Sequence, residues 1–470
     1  MDKLARRLDS FVLGKMAATR LPALSLAIVK DGDVIYRRGY GVRDWHEGLA
    51  ATPATLYSIG SVTKSFTCLA IMQLQEQGLL SVDDPISKYL DFPHRPGGEE
   101  VRIRHFMSHT SGIPALGFAE HVLRQAVRPR PALLSVGSPE DMLGFMDQAG
   151  DWAHAKPGER WFYLNEGYVL LGAVIAKTSG IGYEEYIRRH VTGPLGMDRT
   201  FFRRRDVEAD PDAAVPSFFD REGHYRAADY CYGKMTAEGG LISSVDDMAK
   251  YIQMYLAGGV NHAGERIIGA ASLLEMQQPR VATPPEYYPP LSGEPAGEAA
   301  DRHPSWYGYG LQVAPLGRHR VVGHGGSVFV ATAEMAFIPE EQLGVMVLAN
   351  ASGYPCAQTA QYALAAAMGH DPEELPFVVA ERRLEELEGT YETYKGTVTV
   401  SVKRRGSFLI AETQNPHTPV STVLIPERVT DDGALFWTVS GVNRLPVEFI
   451  RSGDRVEMIQ ERYKLRRVGR

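Results

Sequence analysis

The sequence predicts two domains, an α+β domain over residues 1–375 and an all-β barrel over residues 376–470. Three observations lead there. Strand patterns near the start (Ala23–Val29, Val34–Arg38) and around residue 340 (Thr332–Ile338, Leu343–Ala349) bracket a stretch whose apolar spacing is mostly helical. Strands at both ends with helices between imply one antiparallel sheet built from both chain ends. After Pro376 the helical spacing stops and short strands follow at turn-length intervals, the pattern of a barrel or sandwich.

The elements follow in order. Residues 1–20 read as an amphipathic helix. Ala23–Val29 and Val34–Arg38 flank an Asp-Gly-Asp turn and read as a hairpin. Ser61–Gln77 reads as a helix with Val62, Phe66, Leu69 and Ile71 at apolar positions and Gly78 ending it. Residues 140–149 and 166–189 also have helical spacing. Ser244 heads another helix to about Leu256, with early acids at Asp246 and Asp247. Seven prolines between Pro279 and Pro304 leave no helix or strand there, so a long surface loop is expected. Strands are then expected at Tyr309–Val313, Arg320–Val322, Thr332–Ile338 and Leu343–Ala349, with a closing helix at 357–368. In the second domain six strands are expected, beginning at Thr397, Phe408, Val420, Leu435, Val447 and Val456.

Composition excludes several classes. The formal charge is −7, from 57 acidic against 50 basic residues, which gives no electrostatic reason to expect nucleic acid. Asp9 and Lys15 interrupt the first apolar stretch, unlike a secretory signal, and no apolar run is long enough to span a membrane. A cytoplasmic location is expected. Cys68, Cys231 and Cys356 have neither disulfide nor zinc-site spacing, and His105 and His109, four residues apart, read as packing residues. No metal and no cofactor are expected.

Three short motifs carry chemistry. Ser61 and Lys64 form S-x-x-K at a helix start, which stacks the two side chains on one face. A serine hydroxyl needs an adjacent base, and a lysine serves when its surroundings lower its pKa. Lys64 also opposes the helix dipole, at a cost of roughly 0.3–1 kcal/mol, and local rules are broken where function demands it. Tyr163 and Asn165 form Y-x-N in a loop before an apolar helix. The tyrosine can shuttle a proton, and the asparagine can bind both a substrate carbonyl and the lysine. His324, Gly325, Gly326 and Ser327 lie between two strand patterns. The glycines let a substrate backbone approach a strand edge, and the Ser327 N–H can serve as an oxyanion donor beside that of Ser61.

S-x-x-K, Y-x-N and H-x-G in this order resemble the penicillin-recognising serine hydrolases, in particular their class C β-lactamase-like branch. The resemblance extends to Asp83–Tyr89, Ile103–Ile113, Gly193–Met197 and Glu238–Ser244, and spans residues 20–370. It implies a β-lactamase/transpeptidase-like α/β sandwich, with Ser61 as the acylated nucleophile and Lys64 and Tyr163 as its proton-handling partners. Asn165 would contact the substrate amide, and the N–H groups of Ser61 and Ser327 would form the oxyanion hole. The β-lactamases usually have lysine where this chain has His324. A mostly neutral histidine holds an anionic substrate end less well, and His-x-Gly is similar to the D-aminopeptidases of this branch. The C-terminal domain resembles lipocalin-like barrels that follow some such peptidases.

The expected activity is therefore hydrolysis of amide bonds in short peptides, D-residues included, through an acyl-enzyme on Ser61. A carboxylesterase with side activity on β-lactams ranks second and a β-lactamase third. The rival outside enzymology is a peptide-binding pseudo-hydrolase. The expected partners are a small peptide or ester substrate and further copies of the chain, joined through the C-terminal domain. Neither nucleic acid nor membrane is expected.

Overall fold

The computed structural model describes residues 2–127, 136–220, 222–233, 235–284, 305–413, 420–440 and 443–469. The chain divides into two compact units that part at His370 and Asp371.

The first unit is built on a nine-stranded antiparallel sheet. Its strands run, edge to edge, Leu49–Ala50, Asp33–Asp44, Ala23–Lys30, Leu343–Ala349, Ala331–Ile338, His319–Val328, Gln312–Leu316, Trp306–Tyr307 and Val281–Ala282. Both chain ends meet in its middle, where Leu26 pairs with Val347, as the sequence implies. All seven residues of Leu343–Ala349 are buried, so both faces of this strand are covered, which suits its unbroken apolar run. Helices Val245–Leu256 and Cys356–Ala367 pack against it, and helix Asp2–Thr19 stacks Phe11 on Tyr362 of the latter.

Helix Thr63–Glu76 runs through the core, buried from Thr63 to Leu74. A helix enclosed all round has no polar face, and burying side chains such as Phe66 and Leu69 stabilises it by roughly 1.5–3 kcal/mol each. Ser61 sits just ahead of this helix, in a 3₁₀ turn over Gly60–Val62.

In the first unit four expectations need correction. The helix expected over 166–189 is Asn165–Ser179; Gly180, at φ +74°, caps it, and a separate short helix follows at Tyr183–Ile187. The apolar run ends at Ala176 and apolar residues resume only at Ile181; glycine enters the left-handed region without strain, so the helix stops at Gly180. At its other end the helix begins at Asn165, which therefore belongs to it rather than to the loop before it. The Gly323–Ser327 motif lies inside strand His319–Val328 rather than between strands, because a strand edge left open tolerates small residues. Within the proline-rich stretch Val281–Ala282 still forms a strand, pairing with Trp306–Tyr307; residues 285–304 of the expected loop lie outside the described residues.

The second unit opens with helix Pro376–Glu385 and continues as a closed eight-stranded barrel from Gly389 to Gly469. Strands Gly389–Glu392 and Tyr463–Gly469, absent from the six expected, pair with each other and close it. Its core is Leu384, Leu387, Tyr391, Leu409, Leu424, Phe436, Phe449, Met458 and their apolar neighbours. Alternation is regular: in Phe408–Thr413, Leu409 and Ala411 point in and Phe408 points out.

Candidate active site

The nucleophile position is set by close backbone approach. Ile59 N–H donates to the Leu241 carbonyl at 3.0 Å, and Leu241 N–H donates to Thr63 Oγ1 at 3.2 Å. Gly60 follows at φ +48°. A Cβ added to Gly60 would lie 3.0 Å from the backbone N of Ser327, and one added to Gly326 would drive into the Ile59 carbonyl oxygen. These two glycines let the turn before the helix and the strand edge touch. Pairing with Gln312–Leu316 stops at Gly323, whereas His324–Val328 pairs only on its other side, with Ala331–Met335.

Lys64 is fully buried. Its Nζ donates to Ser61 Oγ at 3.0 Å, to Asn165 Oδ1 at 2.8 Å and to the Glu238 carbonyl at 2.6 Å. Burial pushes its pKa below the ordinary lysine value, with the carboxyl of Glu238, the thiol of Cys68 and the carboxyl of Glu166 opposing that fall. A lysine so placed gives up its proton more readily than a solvated one. The rings of Tyr163 and Tyr168 lie 4.8 and 5.3 Å from Nζ.

His109 holds the Tyr163 segment. Its carbonyl accepts from Phe162 N–H at 2.8 Å, its Nδ1 accepts from Leu164 N–H at 3.0 Å, and its ring lies 4.1 Å from that of Tyr163. A backbone N–H can only donate, so Nδ1 is unprotonated and the ring is neutral. Burial, with Lys64 and His324 nearby, holds its pKa well below the ordinary imidazole value. His105, by contrast, caps its own short helix, accepting from Arg102 N–H at 3.0 Å.

His324 is also buried and neutral. Its Nδ1 faces the Gly325 carbonyl at 2.5 Å, so Nδ1 carries the proton, and Nε2 accepts from the Tyr307 hydroxyl at 2.8 Å. Burial and the Lys64 charge push its pKa down to about 3. The imidazole is engaged with the protein on both nitrogens, so the strand faces the cleft with the backbone of Gly325–Ser327; Ser327 itself is exposed.

The fold thus gathers Ser61, Lys64, Tyr163, Asn165, His324 and the Gly325–Ser327 edge into one site. Sequence reasoning missed His109 as a clamp, Tyr307 as the partner of His324, and Glu238 as an acceptor for Lys64. His109 and Glu238 lie in stretches noted above, but only long-range pairing shows what they hold. Tyr307 offers no sequence signal beyond following Trp306.

A serine under a buried lysine at a helix start, facing an open strand edge, defines the penicillin-recognising class of serine hydrolases. The chain belongs to the β-lactamase family, whose model, described as Beta-lactamase, matches residues 8–368; a second model, the Pab87 octamerisation domain, matches residues 372–466. Among solved structures, the octameric penicillin-binding protein homologue from Pyrococcus abyssi is 41% identical, with a TM-score of 0.88 over 99% of this chain and 100% of that one. Protein flp of Staphylococcus aureus (strain MW2) is 32% identical over 215 residues, 44% of this chain. The matched stretch covers only 40% of the length of that curated relative. The D-amino acid amidase from Ochrobactrum anthropi SV3 shares the fold at 21% identity, with a TM-score of 0.59 over 78% of this chain and 99% of that one. Among the described residues no helix is long and apolar enough to cross a membrane.

Proposed function

We propose that the protein is a serine hydrolase that forms an acyl-enzyme on Ser61 and cleaves amide bonds of short peptides, D-amino-acid peptides included. The observation that carries this reading is the 3.0 Å contact between Ser61 Oγ and an Nζ whose basicity burial has lowered. The neutral Lys64 amine takes the Ser61 proton as Oγ attacks the carbonyl carbon. The oxyanion accepts hydrogen bonds from the N–H groups of Ser61 and Ser327, a reading supported by the close packing of Gly60, which precedes Ser61, against the Ser327 backbone N. Lys64 returns the proton to the leaving amine through Tyr163, Asn165 orients the substrate amide, and water releases the acyl group. The edge of Gly325–Ser327 pairs with the substrate backbone, and a neutral His324 in place of a cation favours uncharged amides over carboxylate-tipped substrates.

We assign residues 1–375 to this hydrolase domain and 376–470 to a barrel that joins copies of the chain. The match to an octamerisation domain and the octameric relative of similar length support assembly, and the barrel exposes Val423, Ile425 and Val439.

The test is labelling with a fluorophosphonate followed by intact mass, and turnover of paired L- and D-amino-acid amides with matching esters. The expected result is one adduct, lost in Ser61→Ala, and turnover of D-amides. No adduct at any pH from about 6 to about 10 would remove the enzyme reading; adduct formation with ester turnover alone would replace the peptidase by an esterase.

A further inference from the structure

Six described residues other than glycine have a positive φ, and five of them are exposed. The sixth, His109 at φ +58°, is buried. It lies just past helix Ile103–Met107, where Thr110 N–H donates back to the His105 carbonyl at 2.7 Å. A left-handed residue at a helix end is ordinarily glycine, because a side chain there is strained. His109 carries a second cost. Its Nδ1 accepts a hydrogen bond, so the proton of the neutral ring is on Nε2. Nε2 is buried with no hydrogen-bond partner among the described residues, which is unfavourable for a donor. Glycine would end the helix without either cost, and strain kept at a buried residue points to use.

The contacts show what the histidine holds. Its carbonyl and its Nδ1 accept from the N–H groups of Phe162 and Leu164, at 2.8 and 3.0 Å. Those two residues flank Tyr163. The Tyr163 ring itself lies with its centroid 4.1 Å from that of the imidazole and 4.8 Å from Lys64 Nζ. Tyr163 is thus held through both chain neighbours and against its ring. The clamp is anchored in turn, because the Met107 carbonyl accepts from the Tyr168 hydroxyl at 2.7 Å, on helix Asn165–Ser179.

We propose that His109 is a positioning residue that fixes the Tyr163 hydroxyl for proton delivery, and so lets the site expel leaving groups that need a proton, amines above all. This rests on the reading of Tyr163 as the carrier of that proton. When the tetrahedral intermediate collapses, the oxyanion pair re-forms the carbonyl and the C–N bond breaks. The bonding pair goes to nitrogen, which takes a proton from the Tyr163 hydroxyl, and the Lys64 ammonium replaces that proton. An amine leaves only with the proton, whereas a nitrophenolate leaves as the anion. The placement of Tyr163 therefore matters far more to amides than to nitrophenyl esters. A misplacement of ~1 Å costs on the order of 100-fold.

The experiment measures kcat/KM of the full chain for D-alaninamide and for para-nitrophenyl acetate on one preparation, so the ratio does not depend on the folded fraction. His109→Gly keeps the left-handed turn and the carbonyl and removes the ring. Its amide-to-ester ratio is expected to fall about 100-fold. Asparagine tolerates the left-handed region, and in His109→Asn its Oδ1 stands where Nδ1 was; the ratio is expected to fall only about tenfold. An unmoved ratio in His109→Gly makes the histidine a helix end only and overturns the proposal. His109→Ala decides the same point should the glycine variant not fold. Ethyl acetate, whose alkoxide also leaves with a proton, takes the place of the amide should the enzyme cleave only esters. Tyr163→Phe separates the proposal from the reading beneath it. If it leaves the ratio in place, Tyr163 does not carry the proton and both fall. If it lowers the ratio and His109→Gly does not, Tyr163 keeps its role and the proposal alone falls.

Discussion

The two units invert one another. The first hides ionisable groups inside: Lys64, His109, Glu238, His324 and Glu334 are all buried. The second shows apolar groups outside: Phe408, Val420, Val423, Ile425, Val439 and Val468 are exposed, whereas Thr438 stands as its buried polar residue among the described residues. Buried charge shifts pKa values and costs stability, which is the physical condition for acid–base chemistry. Exposed apolar surface costs solubility unless something covers it. The contrast accords with the proposed division, in which the first unit carries reactivity and the second carries contact between copies.

The sharpest way to break that comparison is a reciprocal pair of variants. Lys64→Ala is expected to slow labelling of Ser61 by roughly 10³-fold or more while light scattering finds the same particle. Val423→Glu with Ile425→Glu is expected to give a smaller particle that labels at the wild-type rate. If either variant changes both readouts, the division of labour fails. A smaller effect is expected at the junction between nucleophile turn and strand edge. Gly326→Ala forces a Cβ into the Ile59 carbonyl, which costs about 1–3 kcal/mol and should slow labelling at least tenfold; urea unfolding and labelling rates check the two together.

The smallest effect is expected from acid. His105 and His324 are held neutral in the fold, with burial pushing their pKa values down to about 4 and about 3. The unfolded chain takes up protons at these positions near the ordinary imidazole value, so it binds more protons than the folded chain below that point. Stability contributed by the neutral rings is therefore present above pH ~6.5 and lost as pH falls toward the folded values. Among the described residues the barrel core contains no histidine. Hydrogen exchange, corrected for its intrinsic pH dependence, should show protection falling first in Thr63–Glu76 and not in the barrel strands. Equal loss in both would count against this account.

The contrast also explains what was legible in the sequence. The architecture rests on local apolar periodicity, which is why Leu343–Ala349 and the barrel strands stand out. Residues 166–189 read as one helix because apolar residues resume at Ile181 after the polar Lys177–Ser179, but the left-handed conformation of Gly180 ends the helix there. The closing strands Gly389–Glu392 and Tyr463–Gly469 are short or rich in arginine and lysine, and they become strands by pairing with each other. Ser61, Lys64, Tyr163, Asn165 and the His324 edge were legible because each belongs to a short motif. Tyr307, His109 and Glu238 were not, because their roles lie in single contacts to residues far along the chain: 17 residues for Tyr307 to His324, 55 for His109 to Leu164 and 174 for Glu238 to Lys64.

The pairing of Leu26 with Val347 also governs how the protein comes into being. The central strands of the catalytic sheet are separated by most of the unit, so the sheet closes only after nearly all of that unit has left the ribosome. Until then Ala23–Lys30 presents an unpaired apolar edge to the cell, a state in which strands find wrong partners. The barrel forms mainly from neighbouring hairpins and waits only for its own closing strand. Chains of this design should fold their contact unit quickly and their reactive unit slowly, so dependence on chaperones belongs to the hydrolase rather than to the barrel.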